Sequence, residues 1–348
     1  MIYPVSHGAY RSLYQALAKA VSAGIASGSP KEQRIVYELS REISGAVDTW
    51  NQNYNNWSPF NVECNSFFLH QRPYIVSPGI NRIEIGDLLL VQKELGAAGD
   101  LVSSRAILMQ AKNTHGRDPV NYSPSYTPGN REQWDFYATW PSFNFVDVAH
   151  FGAQCRDVTG LDLYDASRYL LLECGGNHSA TVCSACNSNC HPSGRSAHCC
   201  AITAYPTQPE LSHYRCFISE VVQLIFGNAG KLLASPVKGS TGWKDLIDDL
   251  DRVTGPQLVP PSFLGQHVPT PVSPTRGCYL RNSWNLSTNR HYGDNGVAAG
   301  NGPGKPTIPG EDHQSNDDTE GFSIIEFVVT HKEPGTDVRE PATQSAIG

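Results

Sequence analysis

Residues 82–91, RIEIGDLLLV, followed after a short loop by residues 105–113, RAILMQAKN, decide how this chain is read. In IEIGDLLLV both alternating faces are apolar, which marks a central strand covered on both sides. Asp87 stands inside that run, and an ionised carboxylate there is costly unless it is paired or holds a metal ion. The next apolar run ends in Gln110 and Lys112, two residues apart and therefore on one face of a strand. The connecting QKELGAAGDLVSS suits a hairpin centred near Ala98 and Gly99. Opposed residue numbers in an antiparallel ladder sum to a constant, here about 197 to 199, which sets Asp87 against Gln110 or Lys112. Three polar groups are thus expected to converge on one patch of an apolar sheet. The structural alternative is an Asp87 that simply pairs with Lys112 or Arg105.

Outward from this pair, the periodicity predicts helices over 8–25 and 31–50. In the second, Ile35, Leu39, Ile43 and Val47 recur at helical spacing behind Pro30. A strand is predicted over 65–77, then the stretches 82–91 and 105–112, a helix over 129–140 and a strand over 143–151. The order is helix, strand, strand, strand, helix, strand. Further on, 166–173 reads as a strand, 213–233 as a helix, 242–253 as a short amphipathic helix and 322–332 as a late strand.

Asp87 followed by Gln110-Ala111-Lys112 at the end of the next strand resembles the PD-(D/E)xK nuclease motif in its Q-x-K form. The family core is a helix, three strands, a helix and a strand, the order read above. Gln133 and Tyr137 in REQWDFY resemble the Q-x-x-x-Y motif of RecB-like members, and at i and i+4 they share one helix face. The resemblance covers roughly residues 31–150. It implies a restriction-endonuclease-like α/β fold, a mixed sheet flanked by helices, and phosphodiester hydrolysis.

In that family's chemistry Asp87, the Gln110 side-chain oxygen and the Ala111 carbonyl hold Mg²⁺ or Mn²⁺, hard cations that take oxygen ligands. The ion polarises the phosphoryl group and activates water, and Lys112 orients that water. Gln133 and Tyr137 position the nucleic-acid strand. The family adds an acid from the first helix, for which Glu38 is preferred over Glu42. Gln110 is neutral where most members carry a carboxylate, so weaker metal binding is expected.

The chain has 348 residues, 39% of them hydrophobic, enough to bury a sizeable core. Its formal net charge of −7 removes any global basic field, though not a local groove. No apolar run approaches the roughly 20 residues that span a bilayer, and the first residues lack the order of a secretory signal, so a cytoplasmic protein is expected. The expected division is a nuclease-like core over 1–173, a Cys/His-rich insertion over 174–200, a helical continuation over 201–254 and a Pro/Gly-rich extension over 255–348 with one late strand.

Ten cysteines in a chain this long, without an export signal, point to thiols or a metal rather than disulfides. Cys183-x-x-Cys186 has zinc-knuckle spacing, and the second pair of a structural Zn²⁺ site could come from Cys190, His191, His198, Cys199 or Cys200, with Cys190 and Cys199 the leading candidates. A polar insertion with free thiols is the alternative. Cys64, Cys155, Cys216 and Cys278 read as small core or isolated residues. His70 and Arg72 share a strand face with Phe68 and are candidates for phosphate contact, or for a solvent-facing strand end.

The expected function is therefore a metal-dependent endonuclease acting on DNA before RNA, in genome defence or DNA processing. Its expected partner is nucleic acid and not a membrane, with homo-oligomerisation left open. The alternative is a catalytically degenerate nuclease-fold binding or scaffold protein stabilised by zinc. Plasmid nicking with Mg²⁺ or Mn²⁺ separates the two.

Overall fold

The computed structural model describes residues 7–26, 31–54, 58–69, 73–114, 128–158, 163–172, 201–207, 211–233, 242–253 and 321–332. They form a mixed α/β structure in which a large open sheet is flanked by helices on both faces. Among these residues no helix is long and apolar enough to cross a membrane.

Two long helices lead, α1 (His7–Ala26) and α2 (Glu32–Tyr54). The predicted apolar stripe of α2 is real: Ile35, Leu39, Ile43, Val47 and Trp50 are all buried. The main-sheet strands are β1 (Phe60–Leu69), β4 (Leu88–Leu95), β5 (Leu101–Asn113), β7 (Ser167–Leu172), β8 (Ala201–Pro206), β9 (Leu211–Cys216) and β11 (Phe322–His331). Their spatial order is β1-β11-β4-β5-β7-β8-β9, and the two-residue β10 (Lys231–Leu232) joins the free edge of β5 beside Arg105 and Ala106. A second sheet of three short strands contains β2 (Tyr74–Ser77), β3 (Ile80–Glu84) and β6 (Asn144–Phe145).

Strands β4 and β5 pair antiparallel with Leu88 opposite Met109 and Glu94 opposite Ser103, so the residue numbers sum to 197 as the turn centre requires. Both faces of β4 are covered. Leu88 and Leu90 join the core beneath α1, α2 and α6 (Phe217–Ile225). Leu89 and Val91 join the core beneath α3 (Pro128–Thr139) and α7 (Gly242–Val253). β5 divides in the same way, Ile107 and Met109 to one side, Ala106 and Leu108 to the other. The parallel pairing of β5 with β7 needs a crossover, and α3 lies in it.

Four stretches differ from the sequence reading. Residues 82–91 are not one strand: β3 ends at Glu84, and β4 begins at Leu88 in the other sheet. Residues 65–77 are likewise divided between β1 and β2. Only Asn144–Phe145 of 143–151 is a strand, and the short helix α4 (Val148–Phe151) follows it. Residues 213–216 extend β9, paired with β8, before α6 begins at Phe217. In residues 82–91 a continuous apolar pattern crosses the break between the two sheets. The expected helical continuation over 201–254 begins instead with β8 and β9 of the main sheet, a start hidden by the cysteine-rich stretch that β8 directly follows. The short helix α5 (Leu163–Ala166) precedes β7.

Candidate active site

The break between β3 and β4 builds the site. Gly86 lies against β5 so closely that a Cβ there would come within 2.9 Å of Leu108 Cδ1 and 3.2 Å of the Met109 oxygen. Any side chain there would press on Leu108 and on the Met109 carbonyl, so glycine favours that approach. The next residue is held from both sides: the Asp87 N–H donates to the Met109 carbonyl at 2.9 Å, and the Asp87 carbonyl accepts from the Ser323 N–H at 2.9 Å. Asp87 is thus fixed by β5 and β11 before its side chain does anything.

The Asp87 side chain shares a face with Gln110, as the strand parity requires. Oδ2 of Asp87 accepts the Gln110 side-chain N–H and the backbone N–H of Ala111, the latter at 2.8 Å. The Gln110 oxygen in turn accepts from the side-chain amide of Gln133, which also donates to the Glu84 carbonyl at 3.0 Å. The Tyr137 hydroxyl donates to the Ile85 carbonyl. Asp87, Gln110, Gln133 and Tyr137 are all buried. Gln133 and Tyr137 therefore use their i, i+4 face to hold the backbone of the β3–β4 break, directly behind Gln110.

The electrostatics of Asp87 are unusual. Burial pushes its carboxyl up to about 7, against the pull of Lys112, and the negative charges of Glu84 and Glu32 push the same way; the Ala111 N–H opposes them. Burial also holds the Tyr137 phenol well above its ordinary range, with Tyr169, Asp87 and Glu84 adding to the effect, so it remains a neutral donor.

Lys112 lies at the end of β5 with its ammonium 3.9 Å from Oε2 of Glu32, while Oε1 of Glu32 accepts the Asn113 N–H at 2.7 Å. The helix acid beside this site is thus Glu32, not Glu38 or Glu42. Glu38 and Glu42 each pair with Arg41 at 2.8 Å. Glu38 stands six residues along α2, roughly 9 Å of helix rise away from Glu32. The sequence offered no signal for Glu32, because a glutamate in a first helical turn is ordinary dipole chemistry.

A divalent ion can be tested against these groups by donor chemistry. Hard oxygen donors are present in the Asp87 carboxylate, the Ala111 carbonyl and the neighbouring Glu84 and Glu32. A buried carboxyl raised by two neighbouring acids is a group that a cation would relieve. Gln110 directs its NH₂ at Asp87 and offers oxygen there only after a half-turn of the amide, which breaks its bond from Gln133. Among the described residues no three His, Cys, Asp or Glu side chains converge to hold a metal unaided. A hard cation here would find oxygen in the Asp87 carboxylate, in the Ala111 carbonyl and, at the cost of that half-turn, in Gln110.

Cys183, Cys186, Cys190 and Cys199, the expected zinc ligands, lie outside the described residues, as do His70, Arg72 and Cys278. Cys64 and Cys216 are buried, the latter with its Sγ 3.3 Å from the Tyr14 hydroxyl, and Cys155 is exposed. Comparison of the chain with protein-family models, with curated proteins and with solved structures returns no significant match.

Proposed function

We propose that the chain is a metal-dependent nuclease that hydrolyses DNA phosphodiester bonds, built on a restriction-endonuclease-like core. The order helix, three strands, helix, strand is met in the main sheet by α2, β1, β4, β5, α3 and β7 once β2, β3 and β6 of the second sheet are passed over; the last strand is then β7 rather than residues 143–151, and β11 lies between β1 and β4. The observation that carries the reading is the meeting of Asp87 and Gln110 in one buried patch within reach of the Lys112 charge. A metal-dependent role in genome defence or DNA processing follows from the same family resemblance.

Asp87, the Ala111 carbonyl and a turned Gln110 would hold the ion. When bound, it supplies Lewis-acid polarisation of the phosphate and a more acidic attacking water. Asp87 contributes a carboxyl whose position needs no reorganisation, because its backbone is pinned on both sides, and which a bound ion would hold ionised. Lys112 brings the one cationic side chain of the motif to the strand end, where it orients water and offsets the charge that develops on phosphorus. Gln133 holds the Gln110 amide in its unturned orientation, from which the ion would have to release it, and Tyr137 holds the backbone that leads into Asp87. Both act as positioning residues, because their donors point into protein.

A competing reading rests on the same hydrogen bonds. The Gln110 amide and Ala111 N–H already satisfy Asp87 Oδ2, as a purely structural buried network would. That reading corresponds to a degenerate nuclease fold used for binding. Nicking of supercoiled plasmid with Mg²⁺ or Mn²⁺ separates them. Cleavage by the wild type and its loss in Asp87→Ala and Lys112→Ala, both folded, is expected. Full activity in either variant removes the site.

A further inference from the structure

We propose that Glu32 is a positioning residue for Lys112 rather than a ligand of the metal ion, an inference that rests on the nuclease reading. Glu32 sits in the first turn of α2; one of its oxygens is hydrogen-bonded by the end of β5 and the other faces Lys112 at charge-contact distance. Oε1 takes the Asn113 N–H at 2.7 Å, which fixes the carboxylate; Oε2 then faces the Lys112 ammonium at 3.9 Å. The two side chains are 25% and 13% exposed, so solvent screens the pair less than a surface ion pair.

A lysine has four rotatable bonds and loses much entropy when held in one place, so a catalytic lysine needs something to hold it. Asp87 also attracts Lys112, but Asp87 ceases to be a free countercharge once it ligates a cation. Glu32 then remains the carboxylate that fixes the ammonium. Its bond to Asn113 makes the arrangement rigid, because the backbone N–H belongs to the residue next to Lys112 on the same strand. Helix α2 and the active lysine are thereby joined by one side chain.

The test uses the full chain as wild type, Glu32→Gln, which keeps an acceptor for Asn113 but drops the charge, and Glu32→Asp, which keeps the charge. Three readouts are taken: Mn²⁺ affinity, kcat and KM for Mn²⁺-supported cleavage, and acylation of Lys112 in metal-free protein by an amine reagent, followed by mass spectrometry. Glu32→Gln is expected to lower kcat about tenfold or more with KM and Mn²⁺ affinity within about twofold of wild type, since misplacing one group costs rate rather than binding. Lys112 acylation should rise severalfold in Glu32→Gln, and Glu32→Asp should recover both properties in part. A tenfold loss of Mn²⁺ affinity in Glu32→Gln overturns the proposal in favour of a metal ligand. Unchanged kcat and unchanged acylation overturn it in favour of a simple tie between helix and strand. A wild type that neither binds Mn²⁺ nor cleaves overturns the nuclease reading itself, and the catalytic purpose of the pair with it.

Discussion

The side-chain amide of Gln110 donates to the same Asp87 oxygen that takes the Ala111 N–H, so one carboxylate oxygen ties two residues of β5 to the start of β4. The carboxyl they hold is buried, faces two further acids and is pushed up to about 7. Its protonation therefore belongs to the energetics of the fold.

Stability should fall as pH rises from about 4 to about 7. In the unfolded chain Asp87 titrates near its ordinary 3.8, and in the folded chain near 7, so the folded state binds more protons between those values. The rise corresponds to roughly 4 kcal/mol at about 1.4 kcal/mol per tenfold change in proton affinity, an upper figure for the penalty present above pH 7. Asp87→Asn should remove that penalty. Urea midpoints of wild type and variant are expected to diverge in the variant's favour from pH 4 to pH 8; parallel curves would mean that Asp87 is not strained by burial.

Divalent ions should reverse the effect at pH 8. A ligand at a hundred times its Kd stabilises by about 2.7 kcal/mol, enough to move a thermal midpoint by several degrees. Mg²⁺ or Mn²⁺ is expected to raise the midpoint of the wild type and leave Asp87→Asn unmoved. Equal shifts in both proteins would place the ion elsewhere.

Tyr137→Phe should destabilise by about 1–3 kcal/mol, because the Ile85 carbonyl loses its buried donor. Gln133→Ala acts on the next link: it removes the bond that keeps the Gln110 amide from turning its oxygen toward Asp87, so Mn²⁺ binding should be kept or strengthened, and a tenfold loss would contradict a turned Gln110. Denaturation curves and Mn²⁺ titrations of the two variants distinguish the two roles.

Gly86→Ala tests the approach that brings Asp87 to β5. The added methyl would meet Leu108 and the Met109 oxygen, a backbone atom that cannot turn aside. A loss of about 1–3 kcal/mol is expected, with Mn²⁺ affinity lost alongside. A fully stable, metal-binding Gly86→Ala would show that the β3–β4 break is tolerant and does not set the site.

The meeting of Asp87 with Gln110 was legible in the sequence because it depends on two local rules, alternation along a strand and the constant sum across a hairpin. The burial of Ile35, Leu39, Ile43 and Val47 was legible for the same kind of reason, a repeat of 3.6 residues. The break at Ile85–Gly86–Asp87 was not, because its apolar residues continue across two sheets; Gly86 inside an apolar run was the available clue. Glu32 was hidden because the choice among helix acids depends on the direction in which α2 crosses the sheet. The place of β11 between β1 and β4 was hidden too, since its partners lie far away in the chain and nothing in Phe322–His331 names them.

The most direct test of the account is Mn²⁺ binding to the full chain, followed by electron paramagnetic resonance, in wild type and Asp87→Asn at pH 8. One bound ion per chain is expected in the wild type and none at the same concentration in the variant. Equal binding by both, or by neither, would contradict it and leave Asp87 and Gln110 as a structural pair.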